Sequence, residues 1–168
     1  MGENKLHCGG NMKLKGIIDI DLINYKKASM TLEFPYCNFK CDRDCGMQVC
    51  QNSKLATAPD IEISNKEIID KYLNNPVTQA IVMQGLEPFN SSCDLYSFIR
   101  EFRKVSDDDI VIYTGFEEEE IYLYVDPLKY YKNIIIKFGR FIPNDTPHYD
   151  NTLGVNLASG NQYARKVS

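Results

Sequence analysis

Residues 80–88 read Ala80-Ile81-Val82-Met83-Gln84-Gly85-Leu86-Glu87-Pro88. Four apolar residues in a row, with no polar alternation, suit a strand covered on both faces, the condition of a parallel sheet. Gly85 and Pro88 then mark a turn. The same design recurs on either side. Asp109 to Tyr113 (DIVIY) is followed by Thr114-Gly115, and Asn133 to Lys137 (NIIIK) by Gly139-Arg140-Phe141. Upstream, Ser29 to Phe34 (SMTLEF) alternates and stops at Pro35, which cannot continue a ladder. Helical patterns fill the gaps. Ser64 with Glu67 has capping-box spacing ahead of Ile68, Ile69, Tyr72 and Leu73. Ser91 to Lys104 puts Leu95, Phe98, Ile99 and Phe102 on one face. Glu117 to Tyr131 is helical in part and broken near Pro127. Strands alternating with helices predict an α/β fold with a mostly parallel sheet. Ligands in such sheets bind outside the carboxyl ends of the strands, where Gln84 to Pro88, Thr114-Gly115 and Gly139-Arg140 all stand.

The 168 residues argue for one domain, with residues 13–168 as its body. Residues 1–12 are polar and lack the apolar core of a secretory signal, so they are expected to form a disordered leader, with Met12 as an alternative start. Charged residues make up 25% and hydrophobics 43% of the chain, values ordinary for a globular protein. The net charge of −4 and the absence of a basic patch exclude nucleic acid as an expected partner. No apolar run reaches the roughly 18–20 residues of a membrane span. A cytoplasmic protein is expected. Asn144 to Asp150 reads as loop, Leu153 to Leu157 as a last short strand, and the tail as polar.

Six cysteines are present, and four of them, Cys37, Cys41, Cys45 and Cys50, fall within fourteen residues. In a reducing compartment, clustered cysteines bind metal or do redox work more often than they form disulfides. Buried thiols acting as small hydrophobes suit Cys93 and Cys8. They do not suit the loop, which carries the solvating residues Asn38, Lys40, Asp42, Arg43 and Asp44. Structural zinc sites usually show two close pairs a dozen or more residues apart, which this loop lacks. Thiolates at this spacing point to an iron–sulfur cluster. A zinc- or cluster-holding module without catalysis, using all four loop cysteines, is the non-enzymatic alternative.

With these motifs in view, the chain resembles the radical SAM (S-adenosylmethionine) superfamily. Within it, the chain is most similar to the activating proteins of anaerobic ribonucleoside-triphosphate reductases. Asp21-Leu22-Ile23-Asn24 is similar to that family's Asp-x-x-Asn, and Gly85-Leu86-Glu87-Pro88 to the superfamily's Gly-Gly-Glu/Asp-Pro turn. Tyr113-Thr114-Gly115-Phe116 with the acidic run Glu117 to Glu120, Gly139-Arg140-Phe141, and Ser159-Gly160-Asn161-Gln162 resemble the family's later motifs. The chain departs from the pattern in two places. Leu86 stands for the second glycine, and Tyr25-Lys26-Lys27-Ala28 replaces a Gly-Pro-Gly-x-Arg segment.

The resemblance implies a partial (β/α) barrel of radical SAM type. It also implies a [4Fe-4S] cluster held by three thiolates, with SAM chelating the fourth iron. Cys37 and Cys41 match the first two ligands. The superfamily spacing places the third at Asp44, so Cys45 and Cys50 compete for that role. Cys50 is favoured because Val49-Cys50-Gln51-Asn52 resembles the family's third-cysteine context. By the same resemblance Gly85, Glu87, Thr114 and Arg140 contact SAM, and no catalytic side chain separate from the cluster is implied. Glu87 would accept a hydrogen bond from the SAM ammonium. The implied activity is an anaerobic oxidoreductase reaction in which a 5′-deoxyadenosyl radical makes a glycyl radical on the partner reductase, with flavodoxin or ferredoxin as electron donor. A radical SAM reaction on a small molecule, of the deazaguanine-synthase kind, is the enzymatic alternative.

Overall fold

The structure is a computed structural model that describes residues 9–168. In chain order the strands are β1 (Asn11–Leu14), β2 (Gly16–Asp21), β3 (Ser29–Phe34), β4 (Ile61–Ser64), β5 (Ala80–Gly85), β6 (Asp109–Tyr113), β7 (Ile134–Phe138), β8 (His148–Asp150), β9 (Val155–Leu157) and β10 (Tyr163–Lys166). The helices are α1 (Lys40–Cys45), α2 (Asn65–Leu73), α3 (Ser92–Phe102) and α4 (Tyr122–Val125). Six strands form one sheet in the order β10-β7-β6-β5-β3-β2. Its centre, β3-β5-β6-β7, is parallel, as the apolar runs predict, while β2 and β10 close the two edges antiparallel. The sheet is mixed α/β and open, not a closed barrel.

Alternation along the central strands divides the molecule into two faces. One face carries Met30, Leu32 and Phe34 of β3, Ile81 and Met83 of β5, Ile110 and Ile112 of β6, and Ile134, Ile136 and Phe138 of β7. It is covered by Ile68, Ile69 and Tyr72 of α2 and by Leu95, Phe98, Ile99 and Phe102 of α3. The Ser64 capping box starts α2 as its sequence predicts: the hydroxyl of Ser64 accepts from the Glu67 N–H, and Glu67 accepts from the Ser64 N–H. The opposite face holds a smaller apolar group, Ala80, Val82, Val111 and Ile135, against Tyr25, Leu153 and Leu157.

Four expectations are corrected. Asn11 and Met12 are not leader but the start of β1, with Met12 buried against the core; residues 1–8, Cys8 among them, lie outside the described residues. His148 to Asp150 is not loop but β8, paired with the shortened last strand β9. The polar tail is strand β10 on β7, and its charged residues, the half-buried Arg165 and the exposed Lys166, are what a sheet edge favours. Cys93, which follows Ser92 at the start of α3, is disulfide-bonded and is not a plain buried thiol. No helix of the described residues is long and apolar enough to cross a membrane.

Candidate metal centre

At the carboxyl ends of β3, β5, β6 and β7 lies a cavity of about 360 Å³, within the range of small-molecule and cofactor sites. Cys37, Cys41 and Cys50 line it; Cys45 is exposed and does not. Local structure explains the difference. Cys41 lies in the first turn of α1 and Cys45 is its last residue, one turn further along the axis. Gly46, at φ 67°, then reverses the chain in a conformation that favours glycine. One oxygen of Asp42 accepts the N–H groups of Val49 and Cys50, each at 2.8 Å, and so folds Cys50 back beside Cys41. Asn52 ties the end of the loop to β5 by donating to the Gly85 carbonyl at 2.7 Å. Among the described residues, no three His, Cys, Asp or Glu side chains gather tightly enough for a single metal ion. The three thiols ring the cavity instead.

Backbone N–H groups aim at the sulfurs. That of Phe39 donates to Cys37 Sγ at 3.2 Å. Burial pushes the Cys37 thiol up to about 11; Phe39 opposes the shift, while Glu87, Cys50 and Cys41 add to it. Burial likewise raises Cys41 against a hydrogen bond from the Phe141 N–H, with Cys50 again adding to the rise. Each of the three thiols thus lies within electrostatic reach of the other two. Metal binding would reverse these shifts, since the thiolate is the ligand.

The Gly85 turn seats Glu87. Gly85 has φ 97°, and a Cβ there would lie 2.8 Å from the Phe34 nitrogen, so only glycine fits between β3 and β5. Glu87 is 4% exposed and almost fully engaged. Its Oε1 accepts from the Thr114 hydroxyl at 2.9 Å and the Phe89 N–H at 3.1 Å, and its Oε2 from the Gly115 N–H at 2.9 Å. A carboxylate offers about four acceptor sites, which leaves room for one further donor at Oε2. Burial lifts the carboxyl to about 7 against these bonds and the charge of Lys137. Thr114 lines the cavity, but its hydroxyl is spent on Glu87 and on accepting the Phe116 N–H at 3.1 Å. It therefore positions Glu87.

Arg140 does not line this cavity, although its charge lowers the Cys41 thiol against burial. It pairs with Asp44 at 3.1 Å, with Glu117 at 3.5 Å and with both oxygens of Glu120, which Lys40 also reaches. The acidic run therefore clamps α1 and its cysteines to the end of β7. Asn161 donates to the Arg140 carbonyl and Gln162 to that of Gly139. These two side chains brace the Gly139-Arg140 turn. Asp21 accepts from Thr31 of β3, from the Asn24 side chain and from two N–H groups, so the Asp-x-x-Asn motif is a turn anchored to β3 that places Asn24 on the cavity wall.

Sequence reasoning placed Gln84 and Tyr113 near the site but missed Glu33 and Lys137, which complete its floor. Glu33, Gln84, Tyr113 and Lys137 stand in register across β3, β5, β6 and β7, and all four line the cavity. Met83 pairs with Ile112, which brings the next residues, Gln84 and Tyr113, side by side. Strands about 4.8 Å apart make the row roughly 14 Å long. The signal was in the alternation: each residue lies two positions beyond one on the open face, as Lys137 does beyond Ile135. Lys137 is buried, and its Nζ donates to the carbonyls of Gly139 at 2.8 Å and Thr114 at 3.4 Å. Burial pulls its ammonium down to about 8, and Glu87 and Cys41 push the other way.

A family model described as a 4Fe-4S single cluster domain matches residues 28–157, the span from β3 through β9, which includes the three cysteines, Glu87 and most of the cavity lining. The chain belongs to that family. The family is found in radical SAM-related proteins. No curated protein and no solved structure matches the chain. The donor set fits the cluster the family implies: three thiols line one cavity, and backbone N–H groups are directed at the sulfurs of Cys37 and Cys41.

Proposed function

We propose that this 4Fe-4S domain is a radical SAM enzyme, and that its reaction makes a glycyl radical on a large partner enzyme, an anaerobic ribonucleotide reductase. The open sheet is read as the partial barrel of that superfamily. The observation that carries the proposal is the meeting of Cys37, Cys41, Cys50 and Glu87 in one cavity at the strand ends. Three thiolates leave one iron of a cube without a protein ligand, and the remaining acceptor site on Glu87 suits an ammonium donor. When bound and reduced, by a flavodoxin or ferredoxin, the cluster supplies one electron to the SAM sulfonium and so releases a 5′-deoxyadenosyl radical.

The chain's own residues do the rest. Cys37, Cys41 and Cys50 hold the cluster, with Asp42 bringing Cys50 into place. Glu87 orients the amino end of SAM, held by Thr114 and the N–H groups of Gly115 and Phe89. Gly85 lets the backbone approach closely. Exposed apolar side chains beside the site, Leu22 and Ile23, offer a surface to the partner.

The test is anaerobic reconstitution followed by electron paramagnetic resonance of the reduced cluster. A change in its spectrum on adding SAM is expected, and then a glycyl radical signal on the co-occurring reductase. Zinc without sulfide in anaerobically purified protein would sink the radical reading. SAM cleavage with no radical on the reductase would leave the small-molecule alternative in its place.

A further inference from the structure

Lys137 is the one cation among the residues that line the cavity. The other ionisable lining groups are three thiols, two carboxyls and the phenol of Tyr113. Lys137 is 7% exposed and the only buried lysine or arginine among the described residues. Two carbonyls fix its ammonium, which also lies 6.0 Å from the centroid of the Tyr113 ring. No carboxylate among the described residues forms an ion pair with it, so its charge is not cancelled at contact. The other cations beside the cysteine loop are paired with carboxylates, as Lys40 and Arg140 are with Glu120, although the charge of Arg140 also reaches Cys41.

A lone cation buried this way costs free energy unless something in the cavity needs it. Three ligating thiolates and Glu87 supply that need. A cluster held by three thiolates carries net negative charge, and its one-electron reduction adds one more unit. Net charge and hydrogen bonds near the cluster are among the main determinants of its reduction potential. We propose that Lys137 is the counter-charge of the cluster and holds its reduction potential up. It is a positioning charge, not a catalytic residue. The proposal rests on the cluster being bound by Cys37, Cys41 and Cys50.

The test is a potentiometric titration of the reconstituted protein with dithionite, without SAM, followed by electron paramagnetic resonance. Lys137→Gln removes the charge and keeps a hydrogen-bond donor; Lys137→Arg keeps the charge. In Lys137→Gln the equilibrium constant for reduction is expected to fall about tenfold, roughly 59 mV for one electron. Lys137→Arg is expected to stay close to the wild type. Equal potentials in Lys137→Gln and wild type overturn the proposal, with the cluster assignment intact. If Lys137→Gln binds no iron and Lys137→Arg does, the cavity's need for the charge is supported. If both lose iron alike, charge is not what Lys137 supplies, and the proposal falls. A wild-type protein that takes up no cluster at all would instead count against the reading on which the proposal rests.

Discussion

The two faces of the central sheet are built by the same four strands and do different work. On the helix-covered face every inward position from Met30 to Phe138 is apolar and dry, and Phe98 stacks on Phe102 with ring centroids 5.7 Å apart. On the open face the apolar side chains are confined to Ala80, Val82, Val111 and Ile135, while β3 carries the buried hydroxyls of Ser29 and Thr31. At the carboxyl end of the four strands this face carries Glu33, Gln84, Tyr113 and Lys137. A folding core has no use for that row, since unpaired polar groups in a low-dielectric site cost stability. Stability is therefore concentrated on one face and binding on one end of the other. The cysteine loop extends the second face and buries no side chain in α1.

The largest expected effect is an all-or-none one on the binding face. Cys50→Ala is expected to lose the cluster and Cys45→Ala to keep it, scored by iron and sulfide after anaerobic reconstitution. Circular dichroism should not change in either, because the loop adds nothing to the core. Loss in Cys45→Ala with retention in Cys50→Ala would reverse the ligand assignment. The next effect is the contrast in stability. Phe98→Ala, which empties part of the dry face, should cost about 3–5 kcal/mol in urea unfolding. Gln84→Ala, on the cavity floor, should stay within about 0.5 kcal/mol, as substitutions outside packed regions do. Similar losses in both would mean that the open face carries fold as well as function.

How far this division was legible in the sequence follows from the same physics. The apolar runs at Ala80, Asp109 and Asn133 and the amphipathic pattern at Leu95 to Phe102 announce the dry face, because burial leaves a periodic mark. Edge elements leave a weaker one. The strands β1, β4 and β10 are short and partly exposed, and their partners lie far away in sequence. Cys37, Cys41, Gly85 and Glu87 were legible from motif and spacing. The roles of Arg140 and Thr114 were not, because whether a polar side chain faces a ligand or a neighbour depends on tertiary contacts: Asp44 and Glu120 for the one, Glu87 for the other. Asp42 was passed over as a solvating residue, although its carboxylate decides which cysteine reaches the cavity. Lys137 was hidden at the end of an apolar run that was read only as a strand.

The smallest expected effect concerns how the two regions are joined. Glu120 links the cysteine loop to the end of β7 by accepting from Lys40 and Arg140, and its other oxygen accepts from the Glu117 N–H at 2.9 Å. Partial burial opposes ionisation, but these donors outweigh it and hold the carboxyl at about 2, below its ordinary 4.5. A carboxyl whose pKa is lower in the folded state stabilises that state above the unfolded value, and the contribution is lost as pH falls through the folded one. The clamp is therefore fully present at neutral pH and disappears between about 4.5 and about 2. The network lies at the surface with Arg140 mostly covered, so its worth is at the upper end for a surface ion pair, about 0.5–1 kcal/mol. Glu120→Gln should be less stable than wild type by that amount at pH 7, and the two should converge as the pH approaches 2. Urea midpoints measured across this range decide the matter. A gap that stays constant down to pH 2 would show that the loop is held by packing and not by charge, and that the binding face is less separate from the core than its geometry implies.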